Sequence, residues 1–110
     1  MRWPLWRVAV AEHSMEPALR PGDWVIAWRG LRCPPRIRPG QVVIARHPGR
    51  PDLLLVKRAV RPEADGWWLG SDNPDADAID SRHFGPVAPE QIEGWVLGRY
   101  RRARTPATRR

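Results

Sequence analysis

A serine hydroxyl becomes a useful nucleophile only when a neighbouring base removes its proton. A lysine can be that base only when its ammonium has lost enough hydration to be neutral near pH 7. The stretches His13-Ser14-Met15-Glu16-Pro17-Ala18-Leu19-Arg20-Pro21-Gly22-Asp23 and Leu54-Leu55-Val56-Lys57-Arg58 contain such a pair of residue types. Ser14 follows the extended run Val8-Ala9-Val10-Ala11 and precedes Pro17, whose ring biases Glu16 away from helix; a tight turn should therefore present the hydroxyl at the mouth of a cleft. Lys57 ends the run Asp52-Leu53-Leu54-Leu55-Val56, which should carry its stem into an apolar interior. The expected chemistry is peptide hydrolysis through an acyl-enzyme. Ser14 attacks the scissile carbonyl, neutral Lys57 takes its proton, and the resulting ammonium donates to the leaving amine. No metal or cofactor is required.

Taken singly, Ser14 reads as a turn serine and Lys57 as a strand lysine whose head reaches water. His13 is the obvious rival base, but in an extended segment its side chain points to the face opposite Ser14. His47 and His83 would reach the serine only by tertiary folding. The carboxylates of Asp72, Asp75, Asp77 and Asp80 suggest calcium, yet Pro74 and the intervening alanines spoil a regular ligand loop, so no metal is expected. Cys33 lacks both a disulfide partner and a ligand-spaced neighbour, as expected for a reducing cytoplasm.

The elements that must position the pair are short β-type runs between Pro/Gly punctuation, which predict a mainly β, antiparallel domain. Strands are expected at residues 5–10, 23–28, 41–46, 53–60, 66–70 and 92–100, with loops at 29–38 and 48–51. Arg20-Pro21-Gly22-Asp23 and Arg38-Pro39-Gly40-Gln41 lie 18 residues apart. With no third copy, they read as one turn chemistry used twice. The seven tryptophans should fill a core poor in phenylalanine and tyrosine. Trp3 and Trp6 are the exceptions and should remain partly exposed, capping the domain, lining a peptide groove or touching a membrane surface.

At 110 residues the chain is expected to be one domain, residues 1–102, followed by a basic disordered tail at 103–110. No apolar run reaches the roughly 18 residues of a membrane-spanning helix, and the thirteen residues before Ser14 do not read as a secretory signal. A soluble, cytoplasmic protein is the expectation. The net charge of +7 invites a nucleic-acid reading. Six arginines fall between Arg99 and Arg110, however, and the acidic residues concentrate in the loop 72–80, so a solvated basic tail on a near-neutral domain is the simpler account.

The two stretches also resemble, in order, the boxes of the signal peptidase family of Ser-Lys proteases. Ser14-Met15-Glu16-Pro17 with Pro21-Gly22-Asp23 resembles the nucleophile box, and Val56-Lys57-Arg58 the general-base box. Gly40-Gln41-Val42-Val43-Ile44 and Ile92-Glu93-Gly94-Trp95-Val96 resemble family strands. Ser71-Asp72-Asn73-Pro74 and Asp80-Ser81-Arg82-His83-Phe84-Gly85-Pro86-Val87 resemble the last box. The resemblance covers roughly residues 8 to 100. It implies a small barrel-like β domain with few short helices, of the type shared with self-cleaving repressors, with Ser14 and Lys57 as its dyad. The strand edges Val10, Ala11, Leu55 and Val56 should bind substrate, while Asp72, Asn73, Asp80 and Arg82 support the fold.

Two positions depart from the family. Where some members donate an oxyanion hydroxyl this chain has Glu12, so either that carboxylate faces away or the hole relies on backbone donors alone. Where members often place the hydroxyl that orients the lysine, it has Ala78, leaving Ser81 or Ser71 as substitutes. The short form is similar to the maturation proteases of nickel-type superoxide dismutase, which implies removal of an N-terminal pro-peptide from that precursor. The alternatives are signal-peptidase-like processing at a membrane surface, with weak membrane contact, and a non-catalytic peptide-binding module. A nucleic-acid partner is not expected.

Overall fold

The computed structural model describes residues 4–11, 13–29, 36–74 and 79–101. Six strands form one antiparallel sheet: β1 Leu5–Ala9, β2 Trp24–Trp28, β3 Val42–His47, β4 Arg50–Glu63, β5 Gly66–Gly70 and β6 Ile92–Arg101, in the order β1-β2-β6-β3-β4-β5. The only helices among the described residues are one α-turn, α1 Ser81–Phe84, and a 3-10 turn, Pro89–Gln91. The expected β class holds, but the barrel is not closed. β1 and β5 remain its edges.

The two Pro-Gly turns are built alike. Asp23 N–H donates to Arg20 O at 3.0 Å and Gln41 N–H to Arg38 O at 3.2 Å. In each, the fourth residue's side chain accepts from the first residue's N–H: Asp23 Oδ2 at 2.9 Å and Gln41 Oε1 at 2.7 Å. Gly22 and Gly40 take φ of 90° and 93°, the left-handed position that a turn with proline before it reserves for glycine. These turns launch β2 and β3.

β4 is longer than its apolar run suggested, and the loop expected at 48–51 shrinks to the turn at Pro48-Gly49. β3 pairs with β4 from Arg50 to Arg58, whereas β5 pairs with it only from Arg58 to Glu63. Among the described residues, the stretch before Lys57 therefore has a neighbour on one side only. Along this strand Leu55, Lys57 and Ala59 are buried, and the residues between them are not. Lys57 thus occupies a row that strand alternation reserves for apolar side chains.

The core is aliphatic. One cluster gathers Val43, Ala45, Ala59, Leu69, Val87 and Ile92; the other gathers Val10, Met15, Leu19 and Val25. Each buried valine, leucine, isoleucine or methionine among them contributes about 1.5–3 kcal/mol. The tryptophans do not fill it as expected. All six described tryptophans are only half-buried, with Trp67 and Trp95 flanking the first cluster. Three lie under arginines: Arg29 over Trp6 at 3.9 Å, Arg61 over Trp68 at 4.9 Å and Arg7 over Trp24 at 5.6 Å. Strand positions with one side toward solvent let a guanidinium cover the indole face. Trp3, Cys33 and the tail 103–110 lie outside the described residues.

Candidate active site

Residues 13–19 form the expected turn, with Glu16 N–H donating to His13 O at 3.1 Å and Leu19 N–H to Met15 O at 2.9 Å. Met15 and Leu19 plug into the second core cluster, which ties the turn down on the side away from solvent. Ser14 is itself buried, 2% exposed, at the wall of a pocket of about 230 Å³. Val8, Ala9, Val10 and Ala11 line it from the β1 side, and Leu53, Leu54 and Val56 from β4. Two strand edges thus meet at one apolar pocket with the candidate nucleophile between them. Of the residues expected to bind substrate, Val10, Ala11 and Val56 line this pocket. Leu55 does not: it pairs with Ala45, and its side chain is buried at 2% exposure.

Lys57 is the chain's only lysine, against eighteen arginines. It is fully buried, standing opposite Val43 in the β3–β4 ladder. Its Nζ donates to Ser71 Oγ at 3.3 Å, and Ser71 Oγ donates to Asp80 Oδ2 at 2.8 Å. Of the two hydroxyls left open by Ala78, Ser71 therefore holds the lysine. Ser81 instead accepts from Leu69 N–H at 2.7 Å. Nothing in the local pattern chose Ser71 over Ser81, because the contact joins residues 14 apart in sequence and depends on β4 and β5 lying side by side. Ala78 and Glu12 lie outside the described residues, so the question of the oxyanion donors stays with the sequence.

Asp80 accepts from Arg82 Nε at 3.0 Å and Nη2 at 3.2 Å, an ion pair that braces the loop, and caps α1 through Arg82 N–H at 3.0 Å. Burial alone would raise the Asp80 pKa. The hydrogen bonds from Arg82 and Ser71, with the arginine's charge, outweigh it and hold the carboxyl below the usual carboxylate value. Asp72 engages Arg58 through both carboxylate oxygens. That hydrogen bond raises the Arg58 pKa further against partial burial, so the cation beside Lys57 stays charged and neutralised by its own partner. Asn73 clamps the turn that carries Ser14: its N–H donates to Ser14 O at 2.8 Å, and its Nδ2 to His13 O at 3.0 Å and Glu16 Oε1 at 3.3 Å. Of the four support residues named from the sequence, Asp72 and Asn73 bond to the segments around Lys57 and Ser14 directly, Asp80 reaches Lys57 through Ser71, and Arg82 through Asp80.

The histidines are engaged elsewhere. His13 Nδ1 lies 3.2 Å from Glu16, His47 Nδ1 accepts from Gly49 N–H at 3.0 Å, and His83 Nδ1 accepts from Asp80 N–H at 3.4 Å. Among the described residues no group of three or more His, Cys, Asp or Glu is arranged to hold a metal ion, and no helix is long and apolar enough to cross a membrane.

Comparison with known proteins agrees with this architecture. The chain is 28% identical, over 103 residues, to mitochondrial inner membrane protease subunit 1 of Xenopus tropicalis; the match covers 76% of this chain and 61% of that protein. The family model described as Peptidase S24-like matches residues 5–97, which include the Ser14 turn, the buried Lys57 and residues 71–80. The chain belongs to the Peptidase S24-like family.

Proposed function

We propose that the protein is a serine endopeptidase in which Ser14 is the nucleophile and Lys57 the general base. The observation that carries this reading is the burial of the sole lysine in an apolar strand row, one residue beyond a pocket wall that Ser14 shares. A charged ammonium there would be costly, and a neutral amine is the form that accepts a serine proton. Substrate enters as an added strand beside Val8–Ala11 and the one-sided stretch of β4, with its side chains selected by the apolar pocket.

The finer reading is removal of an N-terminal pro-peptide from a cytoplasmic precursor, that of nickel superoxide dismutase. It is supported by the order and spacing of the boxes. Co-expression with that precursor, followed by mass measurement of its N-terminus, tests it: loss of the pro-peptide only when Ser14 and Lys57 are intact supports the reading. An intact precursor beside efficient cleavage of other exported or membrane-bound precursors favours the second reading, general signal-peptidase-like processing at a membrane surface. The specific reason to keep that reading is the inner-membrane protease among the chain's relatives. No cleavage of either class leaves a peptide-binding module.

A further inference from the structure

We infer that Arg99, near the end of β6, is the positioning residue that holds the loop carrying Ser14 in the pose the reaction needs. The inference rests on the reading of Ser14 as the nucleophile. Residues 10–23 leave the sheet and return to it as a closed loop: Val10 N–H donates to Asp23 O at 2.8 Å, and Gly22 N–H to Val10 O at 2.7 Å. Ser14 lies inside it. A loop whose ends meet in this way keeps its pose through what its body touches. Met15 and Leu19 are gripped by apolar packing, and Asn73 N–H holds Ser14 O.

Arg99 holds the far end. Its Nη1 donates to Ala18 O in the body of the loop and to Asp23 Oδ2 at the base, each at 3.3 Å. That nitrogen carries two hydrogens, so it can serve both oxygens at once. Asp23 is 1% exposed, and its Oδ2 also accepts from Arg20 N–H at 2.9 Å. A carboxylate buried that deeply is costly unless it is paired, and Arg99 pairs it from another strand, 76 residues along the chain. The contact thus compensates a buried charge and fastens the Ser14 loop to β6. Arg99 lies just beyond residues 5–97, which match the family model. Of the six arginines from Arg99 to Arg110, this one belongs to the fold and not to the tail.

Amide hydrogen exchange on the full chain, without substrate, reads the loop directly. Arg99→Gln removes the charge, so the N–H groups of Leu19 and Gly22, which bond within the loop, should exchange roughly tenfold faster while those of β3 and β4 keep their rates. In processing assays the same variant should lower kcat roughly tenfold with KM changed by less than about twofold, as expected when a nucleophile is misplaced and the strands that seat the peptide are not. Arg99→Lys should recover most of both, because an ammonium also offers one charged nitrogen with enough hydrogens for the two oxygens. Where Arg99→Gln fails to fold, Asp23→Asn/Arg99→Gln, which removes the stranded charge, should fold and show the same loosened loop. Wild-type exchange in the loop of the folded variant, or an unchanged kcat beside a loosened loop, overturns the inference. Faster exchange spread evenly over β3 and β4 also overturns it, by making Arg99 a general brace, as does a rise in KM alone, by making it a substrate contact. A loosened loop in the variant, where the wild type cleaves no precursor, leaves the anchor standing and sinks the protease reading.

Discussion

Lys57 stands directly opposite Val43 in the β3–β4 ladder, at a position where the side chain is completely buried. That pairing places the head of a long cationic residue where an aliphatic one would ordinarily pack. Lys57→Met, similar in length, should therefore abolish processing while raising stability by about 1 kcal/mol or more, since it removes a buried polar group from an apolar row. Lys57→Arg should also be inactive, because a guanidinium stays charged and cannot serve as the base. Ser14→Ala should be inactive with little change in unfolding midpoint. Thermal melts and precursor mass read both halves. Normal processing by any of these variants would end the dyad reading.

The pocket joins β1 and β4, two strands with unpaired outer edges on that side among the described residues. A substrate strand laid between them would be held through its own N–H and C=O groups, and proline removes one donor. Proline placed in the substrate at a pairing position next to the scissile bond should block cleavage. The same change several residues away should not. Equal cleavage of all such variants would place recognition on another surface.

Asp80, bonded to Ser71 and Arg82, contributes to acid stability. Its folded pKa lies below the unfolded value of about 3.9, so between the two values the unfolded chain binds more protons and stability rises with pH. The contribution is complete above the unfolded pKa and is lost as pH falls through the folded one. Asp80→Asn should flatten this part of the curve of unfolding free energy against pH and cost roughly 1–3 kcal/mol near neutral pH through weakened bonds to Ser71 and Arg82. A curve in the variant with the same acid slope as wild type would show that other carboxylates carry it.

All six strands could be read from the sequence because Pro-Gly turns and alternating apolar residues mark their starts, as at Asp23 and Gln41. The true length of β4 could not. Pro51 and Pro62 read as breaks, yet each lies where β4 has a neighbour on one side only: Pro51 in the part paired with β3, Pro62 in the part paired with β5. There a missing N–H need not interrupt a ladder. The candidate dyad was legible because serine in a Pro-bounded turn and lysine at the end of an apolar run are local patterns. Ser71 was legible only as one of two candidates beside Ser81, since only the side-by-side packing of β4 and β5 decides which of them reaches Nζ. The tryptophans misled for a related reason: strand alternation says which residues share a face, not which face an arginine will cover.

The segment 103–110 lies beyond the last strand and carries arginines at 104, 109 and 110. We expect it to act only by steering an acidic precursor through screened attraction. Deleting it should leave kcat nearly unchanged and raise KM in a salt-dependent way. A large fall in kcat with normal KM would make it part of the active site.

The most direct measurement is the titration of Lys57 itself. With lysine labelled in 15N, the single side-chain signal reports its charge as pH is varied, with no substrate and no competing lysine. If Lys57 is the base, its midpoint lies well below the ordinary lysine value of about 10.4, and processing activity rises with pH through that same midpoint, because only the neutral amine can take the Ser14 proton. A midpoint at the ordinary value, or activity that follows a histidine-like group and survives in Lys57→Met, would contradict the account.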